Sequence, residues 1–335
     1  NPIAIADLPA RKSAEFDQAS TAPTATTLPL DVYGRSWELT VHPTSAAFID
    51  NRSSVTALLL LAALALTFLL ESFLLVLSGM DALARRLMSE LSGAVGYVTS
   101  IFPRDSDGPV AVTSRYEPSQ ALGGDSFDYR WIDDDHLIVY LVDVSGHGIA
   151  PAMFSVSVHN LMRSGTIDDD TMRDPGGVLT ELNRLFQMNQ QAGNFFTIWY
   201  GVYQPSTHIL RYARAGHPPA IVLNADGSEP VLLLAGSVPI GVLENTVYET
   251  HQHPLEPGAA LLIYSDGAFE LVLRDGQRGS LEDFINLCAR TARSPRWSLD
   301  DLVTGLRRRS RTGQFDDDCT LVRVTVQPED TQNPH

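Results

Sequence analysis

One long apolar run limits what the first third of this chain can fold into. Residues 55–77 are 23 mostly Leu, Ala, Val and Phe residues, broken mainly by Thr56, Thr67, Glu71 and Ser72. At about 1.5 Å per residue, a helix of this length spans a bilayer core, whereas a soluble helix would show a polar face. The run therefore predicts a transmembrane helix. The run is too long for a signal peptide, and many polar and small residues precede it.

The charges beside this run indicate its orientation. Arg85 and Arg86 follow it, while only Arg52 stands close before it. Because cytoplasmic flanks carry the excess of basic residues, we expect a single pass in the cell membrane with the C-terminal part in the cytoplasm. The preceding residues 33–41 resemble the end of an extracytoplasmic CHASE-type sensor. Since the chain begins at Asn1 and not at Met, we interpret it as a fragment whose sensor is largely absent.

An apolar stripe follows the apolar run. Its members recur in steps of four and three: Met80, Ala84, Leu87, Leu91, Ala94, Val98 and Ile101. This spacing favours a short parallel coiled coil, and hence a homodimer. An amphipathic helix docked on the domain that follows it would give a similar stripe.

Two aspartates lie symmetrically about a predicted β-hairpin. Asp125 and Asp143 are each nine residues from Asp134, the centre of an acidic turn between two strand-like runs, 127–132 and 137–142. If the hairpin closes at that turn, the two aspartates face each other across its open end. Like charges held that close need a cation or a shared proton, so the symmetry suggests a metal site.

Further carboxylates flank other predicted strands. Asp143 ends its strand before a glycine-rich turn and a predicted helix over 149–163, and Asp266 follows an apolar strand. Near the C-terminus, Asp317 and Asp318 precede the strand 320–326. An antiparallel sheet would bring such strand ends to one edge. Oxygen ligands without a His/Cys cluster indicate Mg²⁺ or Mn²⁺ and not Zn²⁺.

Five segments in order resemble the SpoIIE-like branch of the metal-dependent PPM serine/threonine phosphatases. They are Gly123-Gly124-Asp125, Asp143-Val144-Ser145-Gly146-His147-Gly148, Ala215-Gly216-His217-Pro218-Pro219, Ser265-Asp266-Gly267 and Asp317-Asp318-Cys319-Thr320. The resemblance implies an α+β fold, an α-β-β-α sandwich preceded here by the transmembrane and linker helices, with two metal ions between the sheets.

The resemblance also implies roles for individual residues. Asp143 would bridge two Mn²⁺ or Mg²⁺ ions, and the carbonyl of Val144 would reach one of them. Asp125 would contact the second ion directly or through water, while Asp266 and Asp317 would hold the first.

Five other residues are candidates for ligands or for the surroundings of the ions: Asp318, Gly124, His147, His217 and Ser265. Three consecutive aspartates leave the choice between Asp317 and Asp318 open by one position. For His147 and His217 we favour structural roles over metal ligation or catalysis.

The expected activity is that of a membrane-anchored protein phosphatase. It would remove phosphate from serine or threonine of a cytoplasmic regulatory protein, such as an anti-sigma-factor antagonist, with metal-activated water as nucleophile and no nucleophilic side chain. Cys288 and Cys319 lack the phosphate-binding loop of a cysteine phosphatase. The alternatives are a hydrolase of small phosphoesters and a non-catalytic receptor that retains the fold. The net charge of −16 argues against a nucleic-acid partner.

These inferences divide the chain into five predicted segments. They are an extracytoplasmic sensor remnant (1–54), a transmembrane helix (55–77), a helical linker (78–102), the phosphatase domain (103–327) and a disordered tail (328–335).

Overall fold

The computed structural model describes residues 26–32, 35–41, 45–146, 148–191, 193–294 and 297–328. The chain forms two compact units, Asn1–Ala84 and Arg85–His335. Most of the predicted sensor remnant and nearly all of the predicted tail lie outside the described residues. In the first unit, β1 (Thr26–Val32) pairs antiparallel with β2 (Arg35–Val41).

The helix α1 (Ser45–Ile101) is 57 residues long and contributes to both units. It contains the predicted apolar run, whose large side chains are exposed, for example Leu58 at 70% and Phe68 at 69%. By length and composition, this helix is apolar enough to cross a membrane, with a mean hydropathy of 2.5 in its most apolar window.

Two five-stranded sheets form the centre of the second unit. In spatial order they are β10-β7-β6-β5-β4 and β3-β12-β11-β8-β9, with antiparallel neighbours throughout. Their bounds are β3 (Val110–Glu117), β4 (Ser126–Asp133), β5 (His136–Val144), β6 (Phe196–Gln204), β7 (Ile209–Ala215), β8 (Ala220–Leu223), β9 (Val231–Leu233), β10 (His251–Pro254), β11 (Ala260–Tyr264) and β12 (Cys319–Val326).

Helices cover the outer faces of both sheets. They are α2 (Ile149–Arg163), α3 (Asp169–Met172), α4 (Pro175–Leu185), α5 (Leu281–Ala292) and α6 (Leu299–Arg309). α5 and α6 begin where Ser280 and Ser298 accept backbone hydrogen bonds from Asp283 and Asp301, which is the usual role of an N-cap serine. The predicted helix over 149–163 is confirmed at both ends.

Three apolar cores explain this layering. The first lies between the sheets and includes Leu137, Val139 and Val322. The second packs the outer face of β5 and β6 against α2 and α4, and the third packs β11 and β12 against α5 and α6. Central strands buried on both faces read as continuous apolar runs, as β5 and β11 do. The predicted α-β-β-α sandwich is confirmed.

The last turns of α1 belong to the second unit and pack within it. Val98 is 1% exposed and lies in a small core with Leu122, Ala152 and Val156. The end of the predicted stripe thus packs against the domain that follows it in the same chain, as expected if the helix docks on its own domain. At its start, Met80 is 64% exposed. The coiled-coil homodimer stays a prediction.

Candidate metal centre

The β4–β5 hairpin brings the first two aspartates together. Its turn is at Asp134, and Ser126 lies opposite Val142 in the ladder. One step further, Asp125 comes opposite Asp143 at the open end. Burial, followed by the charge of Asp143, raises the pKa of Asp125 well above its usual range.

The β11–β12 pair brings the other acids to the same edge. Tyr264 lies opposite Leu321, so Asp266, after β11, and Asp317, before β12, come close together. The backbone approach is tight there, because a Cβ on Gly267 would lie 2.2 Å from the carbonyl oxygen of Asp318. Only glycine fits at this position.

The four carboxylates form a cluster that opens towards solvent. Asp125 is 1% exposed, Asp143 and Asp266 are half-buried, and Asp317 is exposed. Burial, followed by the charges of Asp266 and Asp317, raises the pKa of Asp143 well above its usual range. Burial and the charges of Asp317 and Glu270 raise the pKa of Asp266 to about 6. Glu270, four residues after Asp266, was not among the residues that the sequence indicated.

This cluster has the chemistry of a site for hard cations. Within the described ranges, no Arg or His forms an ion pair with any of the four carboxylates. Nor do three acidic, His or Cys side chains of those ranges converge tightly enough to enclose one ion. Mg²⁺ is typically held by one or two carboxylates and several waters, so a loose set of unpaired carboxylates fits such ions.

Two hydroxyl residues hold Asp125 in place. The hydroxyl of Thr320 donates to Asp125 Oδ2 at 2.6 Å. Ser265 accepts a hydrogen bond from the Thr320 backbone N–H at 2.9 Å and donates to the carbonyl of Asp318 at 3.0 Å. Sequence reasoning included Ser265 as a candidate but gave Thr320 no role, although it ends the fifth segment.

Asp318 supports the glycine turn before Asp125. Its carboxylate accepts hydrogen bonds from the backbone N–H of Gly124 at 2.7 Å and from the N–H and hydroxyl of Ser119 at 2.8 and 2.9 Å. A Cβ on Gly123 would lie 2.4 Å from Asp318 Oδ2, so the turn needs glycine there. Because these donors occupy the Asp318 carboxylate, Asp317 is the better candidate for a ligand. Nothing in the local sequence indicates Ser119.

The backbone around Val144 is also close to the glycine turn. A Cβ on Gly124 would lie 2.8 Å from the Val144 carbonyl oxygen and 3.3 Å from that of Gly146. The missing side chain therefore lets the two segments that carry Asp125 and Asp143 approach each other.

The structure describes only one of the two candidate histidines, His217. His217 is fully buried, and its Nδ1 lies 2.8 Å from the hydroxyl of Thr197, the residue opposite Asp143 in the β5–β6 ladder. Burial lowers the pKa of His217 to about 3, so its ring is neutral at physiological pH. His147 lies outside the described residues.

Neither cysteine has the properties of a nucleophile. Cys288 and Cys319 are both 0% exposed. Burial raises the pKa of both thiols above the usual value, which leaves them protonated at neutral pH.

Comparison with known proteins identifies the family. The sequence model of Stage II sporulation protein E (SpoIIE) matches residues 133–327, more than half of the chain. The chain therefore belongs to the SpoIIE family. The match begins after Asp125, whose place in the site is set by the hairpin geometry.

Two curated relatives come from Bacillus subtilis (strain 168). Phosphoserine phosphatase RsbP is 32% identical over 165 residues, which are 48% of this chain and 40% of RsbP. Phosphoserine phosphatase RsbU is 27% identical over 210 residues, 61% of this chain and 60% of RsbU. The chain thus matches less than two thirds of the length of either relative.

Solved structures share the fold. The SiaA-PP2C domain of Pseudomonas aeruginosa superposes with a TM-score of 0.59 at 19% identity, over 72% of this chain and 97% of that one. The PP2C phosphatase domain of SpoIIE from Bacillus subtilis gives a TM-score of 0.53 at 18% identity, over 65% of this chain and 62% of that one.

Proposed function

We propose that this chain is a metal-dependent protein phosphatase that hydrolyses phosphoserine or phosphothreonine on a cytoplasmic regulatory protein. One observation carries the proposal: strand pairing brings Asp125 and Asp143, and Asp266 and Asp317, to one edge of the sandwich, and none of them has a basic partner in the described ranges. The names of RsbP and RsbU, both phosphoserine phosphatases, support it.

The carboxylates would hold two Mn²⁺ or Mg²⁺ ions, with Asp143 shared between them. When bound, such ions make a hydroxide nucleophile available at neutral pH and neutralise the phosphoryl oxygens of the ester. The protein side chains position the ions and do not attack phosphorus. Thr320 fixes the rotamer of Asp125, and Asp318 fixes the turn that carries it.

Further parts of the proposal concern where the enzyme acts. We propose that residues 55–77 cross the cell membrane and that the second unit is cytoplasmic. The long apolar helix and the arginines that follow the run support this topology. An anti-sigma-factor antagonist is the kind of substrate that the SpoIIE-like resemblance implies.

Phosphate release by the full chain in neutral detergent tests the activity. We expect Mn²⁺-dependent hydrolysis of a phosphoserine peptide, reversible loss of that hydrolysis with EDTA, and much slower hydrolysis of nucleotides. Faster turnover of nucleotides than of phosphopeptides would favour a hydrolase of small phosphoesters. No metal-dependent release from any of these substrates would contradict the proposed activity.

A further inference from the structure

An arginine-rich surface interrupts the acidic character of this chain. Residues 274–311 contain nine arginines and five acidic residues, whereas the whole chain has a net charge of −16. This segment includes α5 and α6 and the loops at their ends. A phosphorylated substrate is an anion, which most of this protein would repel.

Some of these arginines stabilise the fold. Arg307 forms an ion pair with Glu117 at 2.6 Å, and Arg309 donates to the backbone carbonyl of Asp283 at 3.1 Å. Arg278 pairs with Glu270 at 3.1 Å. Arg278 and, in the last turn of α6, Arg307 and Arg309 therefore have structural roles.

Three other arginines form a patch without such partners. Arg274, Arg308 and Arg311 are exposed, and none of their side chains has a hydrogen bond or ion pair with any residue that the structure describes. Arg274 and Arg308 line a hollow of about 360 Å³. Its two acids, Asp275 and Asp283, accept hydrogen bonds from Gln277 and Ser280 respectively.

Backbone contacts tie this patch to the metal centre. Arg274 N–H donates to the carbonyl of Arg309 at 3.2 Å, and Arg311 N–H donates to that of Val272 at 2.9 Å. Val272 N–H in turn donates to Asp316, the residue before Asp317, at 2.8 Å. Arg274 is only four positions after Glu270, so their Cα atoms are at most about 14 Å apart.

We propose that Arg274, Arg308 and Arg311 form a docking surface for an acidic segment of the phosphoprotein substrate. This inference rests on the proposed function. An extended segment of about four to six residues spans the distance from the patch to the acid cluster. Acidic residues at that distance from the phosphoserine would meet the patch, while the phosphate enters the metal centre. Attraction between charges at an exposed surface raises the association rate and is weakened by salt.

The test compares two phosphoserine peptides, one with Glu four to six positions from the phosphoserine on either side and one with Gln there. For the full chain with Mn²⁺ at low salt, we expect kcat/KM to be about three- to tenfold higher for the Glu peptide. The double variant Arg308→Gln/Arg311→Gln should lose most of this preference. It should keep its turnover of p-nitrophenyl phosphate, which is too small to reach the patch.

A matched control removes the same charge elsewhere. The control is the double variant Arg290→Gln/Arg293→Gln. Both residues are at the C-terminal end of α5, where Arg293 lines a separate cavity with Asn224 and Ile285. This variant should keep the preference for the Glu peptide. If both double variants lose the preference for the Glu peptide equally, the preference is a general effect of net charge and the proposal is wrong.

Two further outcomes separate the possible failures. Mn²⁺-dependent hydrolysis of both peptides at equal rates would overturn the docking surface and leave the phosphatase intact. No hydrolysis of any phosphoester would instead contradict the proposed function. If the patch variant differs from the wild type only in vesicles that contain phosphatidylglycerol, the patch binds an anionic membrane, and the proposal is wrong.

Discussion

Two of the three runs of three aspartates in this chain, 133–135 and 316–318, lie in different surroundings. In the β4–β5 turn, Asp133 accepts hydrogen bonds from the N–H of Asp135 at 2.8 Å and from Arg173 at 2.9 Å. These contacts hold the pKa of Asp133 well below its usual range. Asp135 accepts hydrogen bonds from Ser206 and Gln204, which also lower its pKa.

The run before β12 lies beside other acids instead. The charge of Asp317 raises the pKa of both Asp143 and Asp266. Asp318 supports the glycine turn, and Asp316 accepts from the backbone N–H of Val272. The comparison teaches that strand pairing, and not the run itself, decides whether aspartates form a stable turn or a cluster that attracts cations.

The largest expected effect separates the acid cluster beside the second run from the β4–β5 turn by activity. Asp266→Asn, which removes one charge from the cluster at nearly constant volume, should lower Mn²⁺-dependent phosphopeptide hydrolysis by at least about 100-fold. Asp133→Asn, in the turn, should change it less than about twofold. Steady-state kinetics of both variants measure this difference. Comparable losses of activity in the two variants would remove the distinction between the acid cluster and the turn.

The next effect lies within the second run. Asp318→Asn keeps the volume but weakens the hydrogen bonds to Gly124 and Ser119, so we expect a loss of about 1–3 kcal/mol in unfolding free energy. Asp317→Asn should leave stability nearly unchanged and weaken Mn²⁺ binding.

Urea unfolding and Mn²⁺ titration of both variants measure the two effects. Asp316→Asn is the control, because its remaining carbonyl oxygen can still accept from Val272. If Asp317→Asn unfolds more easily than Asp318→Asn, the assignment of these neighbours is reversed.

A smaller effect concerns the stability of the metal-free protein. Because burial and neighbouring acids raise the pKa of Asp143, its ionisation disfavours the folded state, and stability falls as the pH rises above the unfolded value of about 4. In EDTA at pH 7.5, Asp143→Asn should therefore melt about 2–8 °C higher than the wild type. The gain should shrink as the pH falls towards 4. Thermal melts across this range check the sign, and a lower melting temperature at pH 7.5 would contradict it.

The smallest effect is the opposite pH dependence of the turn. The pKa of Asp133 is lowered in the folded state. Its contribution to the stability of the fold is therefore present above the unfolded-state pKa of about 4 and is lost as the pH falls below it. Asp133→Asn should thus be slightly less stable than the wild type at pH 7, and the difference should narrow in acid. Melting curves at pH 7 and pH 3 test this. A difference in melting temperature that widens in acid would show that the ionised form of Asp133 does not stabilise the fold.

Much of the fold and of the acid cluster could be predicted because the relevant signals are local. The hairpin about Asp134, the helix over 149–163 and the strands beside Asp266 and Asp317 follow from alternation, turn residues and apolar runs. Once those strands pair antiparallel, their acidic ends must share an edge.

The contacts around the cluster could not be predicted, since they join distant parts of the chain. Ser119 and Asp318 are 199 residues apart in sequence, and Thr320 and Asp125 are 195 apart. The stripe ending at Ile101 has the same spacing whether its helix meets a second copy or its own domain. Local sequence patterns therefore cannot distinguish a coiled-coil dimer from a helix docked on its own domain.

Counting bound Mn²⁺ tests the central claim that these aspartates form a two-metal centre. In equilibrium dialysis of the full chain, we expect two ions per chain for the wild type and for Asp134→Asn, the turn control. Asp143→Asn, which removes the carboxylate that we propose is shared between the ions, should lose at least one ion together with phosphopeptide hydrolysis. Two tightly bound ions and normal turnover in Asp143→Asn would contradict the account.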